Sequence, residues 1–451
     1  MDVVVIGLGP GGEASATGLA RAGLSVVGVD VRLVGGECPY YACVPTKMMI
    51  RAADALGEAR RVGTFAGSAE VHPDWAPVAA RIRDEATDNW DDRVAVERLE
   101  AAGVRFVRGR GRIVAPGQVT VSTSDGEREF TAGRGIVLNP GTEPAVPPVD
   151  GLAGTPFWTN REAVRATTVP ASLIVLGGGP VGCEFAQIFA RFGAKVTLVH
   201  TRDRLLPPVE PEASEVLARR FAEEGIDVRT GAKVTEVGHD GAFAVSLAGG
   251  ESLTADSLLV ATGRRTDLAA LGVGAFGLDE DARGITVDER MRAAPGLWAI
   301  GDITGKGAFT HMSMYQSEIA TADILGSEHP PADYRAVPSV TFTDPEVGSV
   351  GLTEAAARER GLAVRTGMTA LAATTRGFIH GAGNDGLIKV VEDAGRGVLV
   401  GATSVGPSGG EVLGALAVAV HAEVPVSQLR GLIGAYPTFH RGISAALADL
   451  S

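Results

Sequence analysis

Cys38 and Cys43 stand five positions apart in Gly35-Gly36-Glu37-Cys38-Pro39-Tyr40-Tyr41-Ala42-Cys43-Val44-Pro45-Thr46-Lys47, and two thiols this close offer local redox chemistry or metal ligation. On a regular helix, five residues rise about 7.5 Å and turn about 140°, leaving the Cα atoms beyond the roughly 7 Å limit for a disulfide. The backbone between them must therefore be irregular. Pro39 suits a first helical turn with Cys38 at its mouth, and Pro45 removes the hydrogen bond to the carbonyl of Tyr41. A thiol at a helix N-terminus or beside a cation has a lowered pKa, and Lys47 follows Cys43 by four positions on the same helical face. The competing reading is two inert, buried cysteines, against which the flanking glycines and internal prolines argue. No metal site is expected, because Cys183 is the only other cysteine and a glycine loop accounts for its position.

Two further patterns point to nucleotides. Val3 to Ile6 is apolar and leads into Gly7-Leu8-Gly9-Pro10-Gly11-Gly12, a helical pattern through Arg21, and a strand from Ser25 to Val29 that ends at Asp30. In such a βαβ unit the first glycine makes the turn, the second lets backbone approach a pyrophosphate, and the third lets helix and strand pack. Gly7, Gly9 and Gly12 fit these roles, and Asp30 can accept hydrogen bonds from ribose hydroxyls. The order recurs with Leu173 to Leu176, Gly177-Gly178-Gly179-Pro180-Val181-Gly182, a helix through Arg191 and a strand from Lys195 to Val199. Here His200, Thr201 and Arg202 replace the acid. A cation there suits the 2′-phosphate of NADP, so NADPH is preferred over NADH. The alternative is that Arg202 and Arg204 are solvated surface charges.

These loops need scaffolds, and 451 residues are too many for one compact core, so two to four domains are expected. A net charge of −13 argues against nucleic acid or an anionic membrane as partner. Met1 to Gly12 carry no signal-peptide n-region and no apolar run could span a bilayer, so a soluble, cytoplasmic protein is expected. Ile50 to Ala102 has helical spacing and polar composition. Short β-like runs follow at Arg105 to Val107, Gln118 to Ser122 and Gly135 to Leu138, and Pro144 to Pro148 reads as a boundary loop. Ser257 to Thr262 ends in Gly263-Arg264-Arg265, Gly296 to Ile300 ends in Gly301-Asp302, and from Ala336 the pattern is α+β without a glycine fingerprint.

The order of fingerprint, cysteine segment, second fingerprint and terminal domain resembles the pyridine nucleotide-disulfide oxidoreductases, the family of dihydrolipoamide dehydrogenase, glutathione reductase and mercuric ion reductase. The resemblance covers essentially the whole chain. It extends to Ala261-Thr262-Gly263-Arg264, Ala299-Ile300-Gly301-Asp302, Phe342-Thr343-Asp344-Pro345-Glu346 and Val350-Gly351-Leu352-Thr353-Glu354. It implies an α/β fold with two Rossmann-like dinucleotide-binding domains, for FAD and NAD(P), plus a C-terminal α+β dimerisation domain. The expected divisions are 1–150 for FAD, 151–265 for NAD(P), 266–335 for FAD again, and 336–451 for the interface.

By the same resemblance Cys43 is the flavin-proximal sulfur that forms the charge-transfer complex, and Cys38 the interchange thiol. Lys47 lies near flavin N5 and pairs with Glu184, which taken alone could equally be a surface helix residue. Asp302 holds the ribityl chain. Gly7, Gly9, Pro10, Gly11, Gly12, Asp30, Gly36, Glu37, Thr46, Lys47, Gly111, Arg112, Asn139, Pro140, Gly141, Gly301, Asp302, His311 and Met312 form the implied flavin set. Gly177, Gly179, Pro180, Val181, Gly182, His200, Thr201, Arg202, Ala261, Thr262, Gly263 and Arg264 form the pyridine nucleotide set. A homodimer with an active site shared between subunits is implied as well.

The pattern breaks near the C-terminus. Disulfide-reducing relatives carry His-Pro there, with a glutamate five residues after the histidine, where this chain has Tyr436-Pro437 and Arg441. A phenol with pKa near 10 is a poor base at neutral pH, and general-base catalysis is typically worth 10²- to 10⁴-fold. Tyrosine here resembles mercuric ion reductase, but the terminal Ala446 to Ser451 lacks that enzyme's cysteine pair. Pro39 to Ala42 is bulkier than the usual inter-cysteine sequence, so its tyrosines shape an aromatic acceptor site or pack the dimer interface. Pro180 stands where several relatives place a gating aromatic. The reading is an NAD(P)H-dependent FAD enzyme passing electrons through the dithiol to a small-molecule acceptor, a quinone, metal ion or unusual disulfide. The alternatives are a dihydrolipoyl dehydrogenase or other disulfide reductase using His440, and a catalytically inert nucleotide-bound subunit.

Overall fold

A computed structural model describes all residues, 1–451. The chain forms two compact units, each assembled from separated stretches: Met1–Thr46, Ala80–Ala145 and Arg264–Asp333 in one, and Lys47–Ala79, Val146–Gly263 and Tyr334–Ser451 in the other.

The first unit is built on a six-stranded sheet in the order Arg292–Ala294, Leu297–Ala299, Gly135–Leu138, Val3–Ile6, Val26–Asp30 and Val104–Arg108. All neighbours are parallel except the first pair. Val3–Ile6 and Gly135–Leu138 are buried throughout, so their sequences are unbroken apolar runs instead of alternating ones. A three-stranded antiparallel meander, Arg110–Ala115, Gln118–Thr123 and Gly126–Thr131, completes the unit. Ile113, Val119, Val121 and Phe130 on its inner face join Val4, Ile6 and Leu138 in one core.

In the second unit a parallel four-stranded sheet runs Asp227–Arg229, Lys195–Val199, Ser172–Leu176, Ser257–Val260. The antiparallel strands Val234–Asp240, Ala242–Leu247 and Ser252–Ala255 share its core. A five-stranded antiparallel sheet follows, ordered Pro338–Thr341, Glu346–Gly351, Val398–Gly406, Leu387–Asp393 and Val364–Ala370. The helix Gly409–His421 packs its Val412, Leu413, Leu416 and Val420 side of the core against this sheet. Lys389, 5 % exposed on the strand Leu387–Asp393, is held by Glu210, Glu212 and Glu354 at 2.8–3.1 Å. A buried ammonium is tolerable only with partners of this kind, which raise its pKa against the cost of burial. No helix is long and apolar enough to cross a membrane.

Candidate active site

The cysteine segment departs from a regular helix at Tyr41. A short helix, Glu37–Tyr40, carries Cys38, Tyr41 leaves helical geometry at φ −140°, and a new helix runs Cys43–Arg61. Cys43 is its first residue, and Pro45 falls in the first turn, where an N–H would have no intrahelical partner anyway. Thr46 tightens that turn by donating its backbone N–H (3.0 Å) and its hydroxyl (2.7 Å) to the carbonyl of Ala42. Both thiols are half-buried. Cys43 Sγ lies 3.3 Å from Thr310 Oγ1, at the start of the helix Thr310–Leu325. Tyr40 is 6 % exposed within its own chain, and burial, with Asp92 adding to it, pushes its phenol up to about 12.

Around the first glycine loop the same unit holds a cavity of ≈ 330 Å³, lined by Gly7, Asp30, Gly111, Pro140, Gly141 and neighbours. A Cβ on Gly12 would run into the carbonyl oxygen of Gly7, so the loop closes this tightly only around glycine. Asn139 fixes the same turn, its oxygen accepting the Gly12 N–H at 3.0 Å and its nitrogen donating to Ser313 Oγ at 2.9 Å. Asp30 ends its strand beside the cavity. One carboxylate oxygen accepts the N–H of Leu8 and the other that of Arg32, both at 2.7 Å. Burial raises its pKa, and these two bonds and the charges of Arg108 and Arg32 oppose the shift. Arg32 in turn forks onto both oxygens of Glu143, at 2.6 and 2.9 Å.

Asp302 opens a helical turn, Gly301–Thr304, and accepts the hydroxyl of Thr142 at 2.7 Å. Arg264 joins this group. It donates to Glu37 (2.9 Å) and to the carbonyl of Thr142 (2.6 Å), with Asp302 at 3.8 Å. Its side chain thus lies among residues of the flavin set, although its motif was assigned to the pyridine nucleotide. Arg112 turns to the carbonyl of Ala269 at 2.5 Å, while Arg110 and Gly111 line the cavity. His311 stacks on Phe309 at 5.1 Å and Met312 is buried.

In the second unit, Pro180 is the first residue of the helix Pro180–Arg191 and Val181 is exposed beside it. A Cβ on Gly182 would strike the carbonyl oxygen of Gly177, repeating the first loop's closure. The N–H of Ala261 pairs with Leu176 at 2.8 Å, so the segment Ala261-Thr262-Gly263 leaves the sheet beside Gly177. His200 is half-buried, and burial, reinforced by Arg202, lowers its pKa. Thr201 and Arg202 are exposed. Arg204 donates to the carbonyls of Pro207 (2.7 Å) and Val209 (3.2 Å), so it braces its own loop and is not a solvated surface charge.

Glu184 is no surface residue. It is 6 % exposed, accepts Lys47 Nζ at 2.8 Å with one oxygen and the N–H of Phe342 at 2.9 Å with the other. Lys47 also sits 4.6 Å from the centre of the Phe342 ring. Further along the same helix, Gln187 and Arg191 are buried against Asp344. Sequence reasoning passed over both, as it did Thr310, because their partners lie 153–267 positions away. A Cβ on Gly57 would come within 2.9 Å of the Arg191 guanidinium carbon, so this helix position is left bare to admit the cation. Near the C-terminus Tyr436 is 66 % exposed, with the Arg441 guanidinium 5.5 Å from its ring centre. His440 Nε2 lies 3.4 Å from Thr438 Oγ1.

The model of the pyridine nucleotide-disulphide oxidoreductase family matches residues 1–320, and that of its dimerisation domain residues 337–447. The chain belongs to this family. This oxidoreductase is 33 % identical to the dihydrolipoyl dehydrogenase of Chlorobaculum tepidum, over 99 % of this chain and 96 % of that one. It is 32 % identical to the mercuric reductase of Streptomyces lividans, over 99 % and 95 %. Among solved structures, it matches LpdA of Mycobacterium tuberculosis with a TM-score of 0.87 and 26 % identity, covering 99 % of both chains. The HOCl-induced flavoprotein disulfide reductase RclA of Escherichia coli matches at 0.85 and 27 %, over 100 % and 99 %, and another RclA structure is a Cu(II) complex. The oxidoreductase is a flavin-dependent enzyme of the α/β class, in a family that uses FAD and NAD(P). Its residues fit both nucleotides: each glycine loop admits no side chain at its third glycine, and a half-buried carboxylate closes the first βαβ unit beside a cavity.

Proposed function

We propose that this oxidoreductase takes electrons from NADPH through FAD into the Cys38/Cys43 dithiol and delivers them to an acceptor other than a standard disulfide: a quinone, a metal ion or an unusual disulfide. Bound FAD supplies a two-electron relay between nicotinamide and sulfur. The chain's residues do the rest. The backbone of the two glycine loops binds the pyrophosphates, and Asp30 orients a ribose. Arg202 meets a 2′-phosphate, for which a largely uncharged His200 adds shape and no charge. Cys43, at a helix start with Thr310 in reach, is the sulfur next to flavin, Cys38 faces the acceptor, and the Glu184-paired Lys47 supplies fixed positive charge. The domain ending the chain assembles a homodimer whose two subunits share each active site.

The observation that carries this reading is Tyr436 with Arg441 against its ring. Disulfide exchange needs a group that takes and returns a proton near neutral pH. A phenol, ordinarily ionising near pH 10, is a poor proton acceptor at neutral pH, Arg441 offers no carboxylate to orient a base, and His440 is turned to Thr438. An acceptor that needs only electrons escapes this handicap. A Cu(II) complex of RclA is a reason to include metal ions among the acceptors tried.

The test is steady-state turnover of the purified holoenzyme with NADPH against lipoamide, glutathione disulfide, quinones and Cu(II) or Hg(II). A quinone or metal ion should exceed lipoamide by at least about tenfold, and the double change Tyr436→His, Arg441→Glu should raise lipoamide turnover by about 10²-fold. Fast lipoamide turnover by the unaltered enzyme, lost in His440→Ala, would overturn the proposal.

A further inference from the structure

We propose that Gln187 is a positioning residue for the Lys47–Glu184 pair, acting through the backbone of Phe342–Asp344. The inference rests on the reading of Lys47 and Cys43 given above. On the helix Pro180–Arg191, Glu184, Gln187 and Arg191 are spaced by three and four residues and so share one face. These three side chains bind one short segment in order. Glu184 accepts the N–H of Phe342 at 2.9 Å. Gln187 accepts the N–H of Asp344 at 2.7 Å and donates to the carbonyl of the same residue at 2.8 Å. Arg191 donates to the Asp344 carboxylate at 2.6 Å, which also takes Arg61.

Gln187 therefore grips Asp344 as a neighbouring strand would, on donor and acceptor at once. It is 3 % exposed, so water offers the segment no equivalent partner. What the grip controls is Lys47. The Glu184 carboxylate and the Phe342 ring both meet the ammonium, and both are referenced to this segment: the ring belongs to it and the carboxylate is tethered to its N–H. Release of Asp344 from Gln187 frees Phe342 to shift, which disturbs these two contacts of the ammonium together. Lys47 follows Cys43 by one helical turn, so its disorder should weaken the field that favours a Cys43 thiolate.

A purely stabilising role would lower the melting temperature and leave the thiol's titration alone, and this separates the two. The holoenzyme is reduced anaerobically by two electrons, and the long-wavelength thiolate–flavin absorbance is followed against pH. In Gln187→Met, of similar length but without either hydrogen-bonding group, the pH midpoint should rise by about one unit, a tenfold change in thiol ionisation. Gln187→Glu keeps an acceptor for the Asp344 N–H and should shift it less. Asp344→Asn weakens the ion pairs but keeps both backbone bonds to Gln187, so it should melt earlier with the midpoint in place. A midpoint in Gln187→Met equal to that of the unaltered enzyme overturns the inference. Should Gln187→Met fail to retain flavin, Gln187→Glu decides by the same criterion. Absence of the band in the unaltered enzyme means the dithiol reading has failed. The clamp is then judged by the midpoint potential of bound flavin, which Gln187→Met must change for the inference to stand.

Discussion

Replacing Arg191 with methionine should destabilise the protein by an amount that depends on pH. The guanidinium is 2 % exposed and binds Asp54, Glu224 and Asp344 at 2.6–2.7 Å. Breaking a buried ion pair from one side typically costs about 3–5 kcal/mol, because the stranded charge has lost its water as well as its partner. Asp54 is 43 % exposed and can rehydrate, so it adds little. Asp344 and Glu224 are 15 % and 13 % exposed, and Asp344 keeps Arg61 while Glu224 keeps Arg220. The lower end, about 3 kcal/mol at pH 7, follows. The sign of the pH dependence comes from the same groups. Burial would raise the Asp344 pKa, but Arg191 and Arg61 outweigh it and hold it below the usual value. Its contribution is therefore full above the unfolded pKa, near 4, and is lost as pH falls through the folded one. Asp54 is already pushed up to about 6 by burial, with Arg191 opposing, and rises further without that cation. The Asp54 effect shrinks the variant's deficit between pH 7 and pH 4, and loss of the Asp344 contribution shrinks it further only below pH 4. Urea unfolding of both proteins, stepped across that range, measures it. A deficit below about 1 kcal/mol at pH 7, the size expected of an exposed pair, or one constant down to pH 4, would refute the reasoning.

Thr310→Val removes the hydroxyl 3.3 Å from Cys43 Sγ, and should raise the pH midpoint of the thiolate–flavin band by about half a unit to one unit. Arg202→Glu should turn the preference from NADPH towards NADH by about tenfold in kcat/KM, since a carboxylate at the strand end repels the 2′-phosphate and suits a free ribose. Lys389→Met leaves Glu210, Glu212 and Glu354 facing one another, and should cost about 3–5 kcal/mol in denaturant unfolding.

Both βαβ units were legible because glycine spacing, strand length and helix start are local properties. Val3–Ile6, Lys195–Val199 and the helix ends at Arg21 and Arg191 fall where the pattern places them. The strands Arg110–Ala115 and Gly126–Thr131 escaped notice, for one face of each is exposed and charged and their apolar content is correspondingly low. Ile50 to Ala102, read as solvated helices, is helical to Thr64 and again from Ala76, with a non-helical stretch between them that the composition did not mark. In the candidate site, cysteine spacing alone required an irregular backbone, and it occurs at Tyr41. Burial was harder to read. Glu184 and Arg204 look like surface charges in isolation, and only Lys47 and Phe342 make the first an interior residue, while the carbonyls of Pro207 and Val209 make the half-buried second a loop brace. Gln187 carried no signal, since its partner is a backbone amide 157 positions away.

Gly57 sits inside the helix Cys43–Arg61, where glycine is worth about 1 kcal/mol less than alanine. A thermostability screen that fills helical glycines with alanine would include this position. Here the added methyl would stand 2.9 Å from the carbon of a buried cation that cannot retreat into water. The bare position is thus a lock fitted to one key: any lineage that acquires a side chain at position 57 must also give up or relocate Arg191, and the two should change together or not at all.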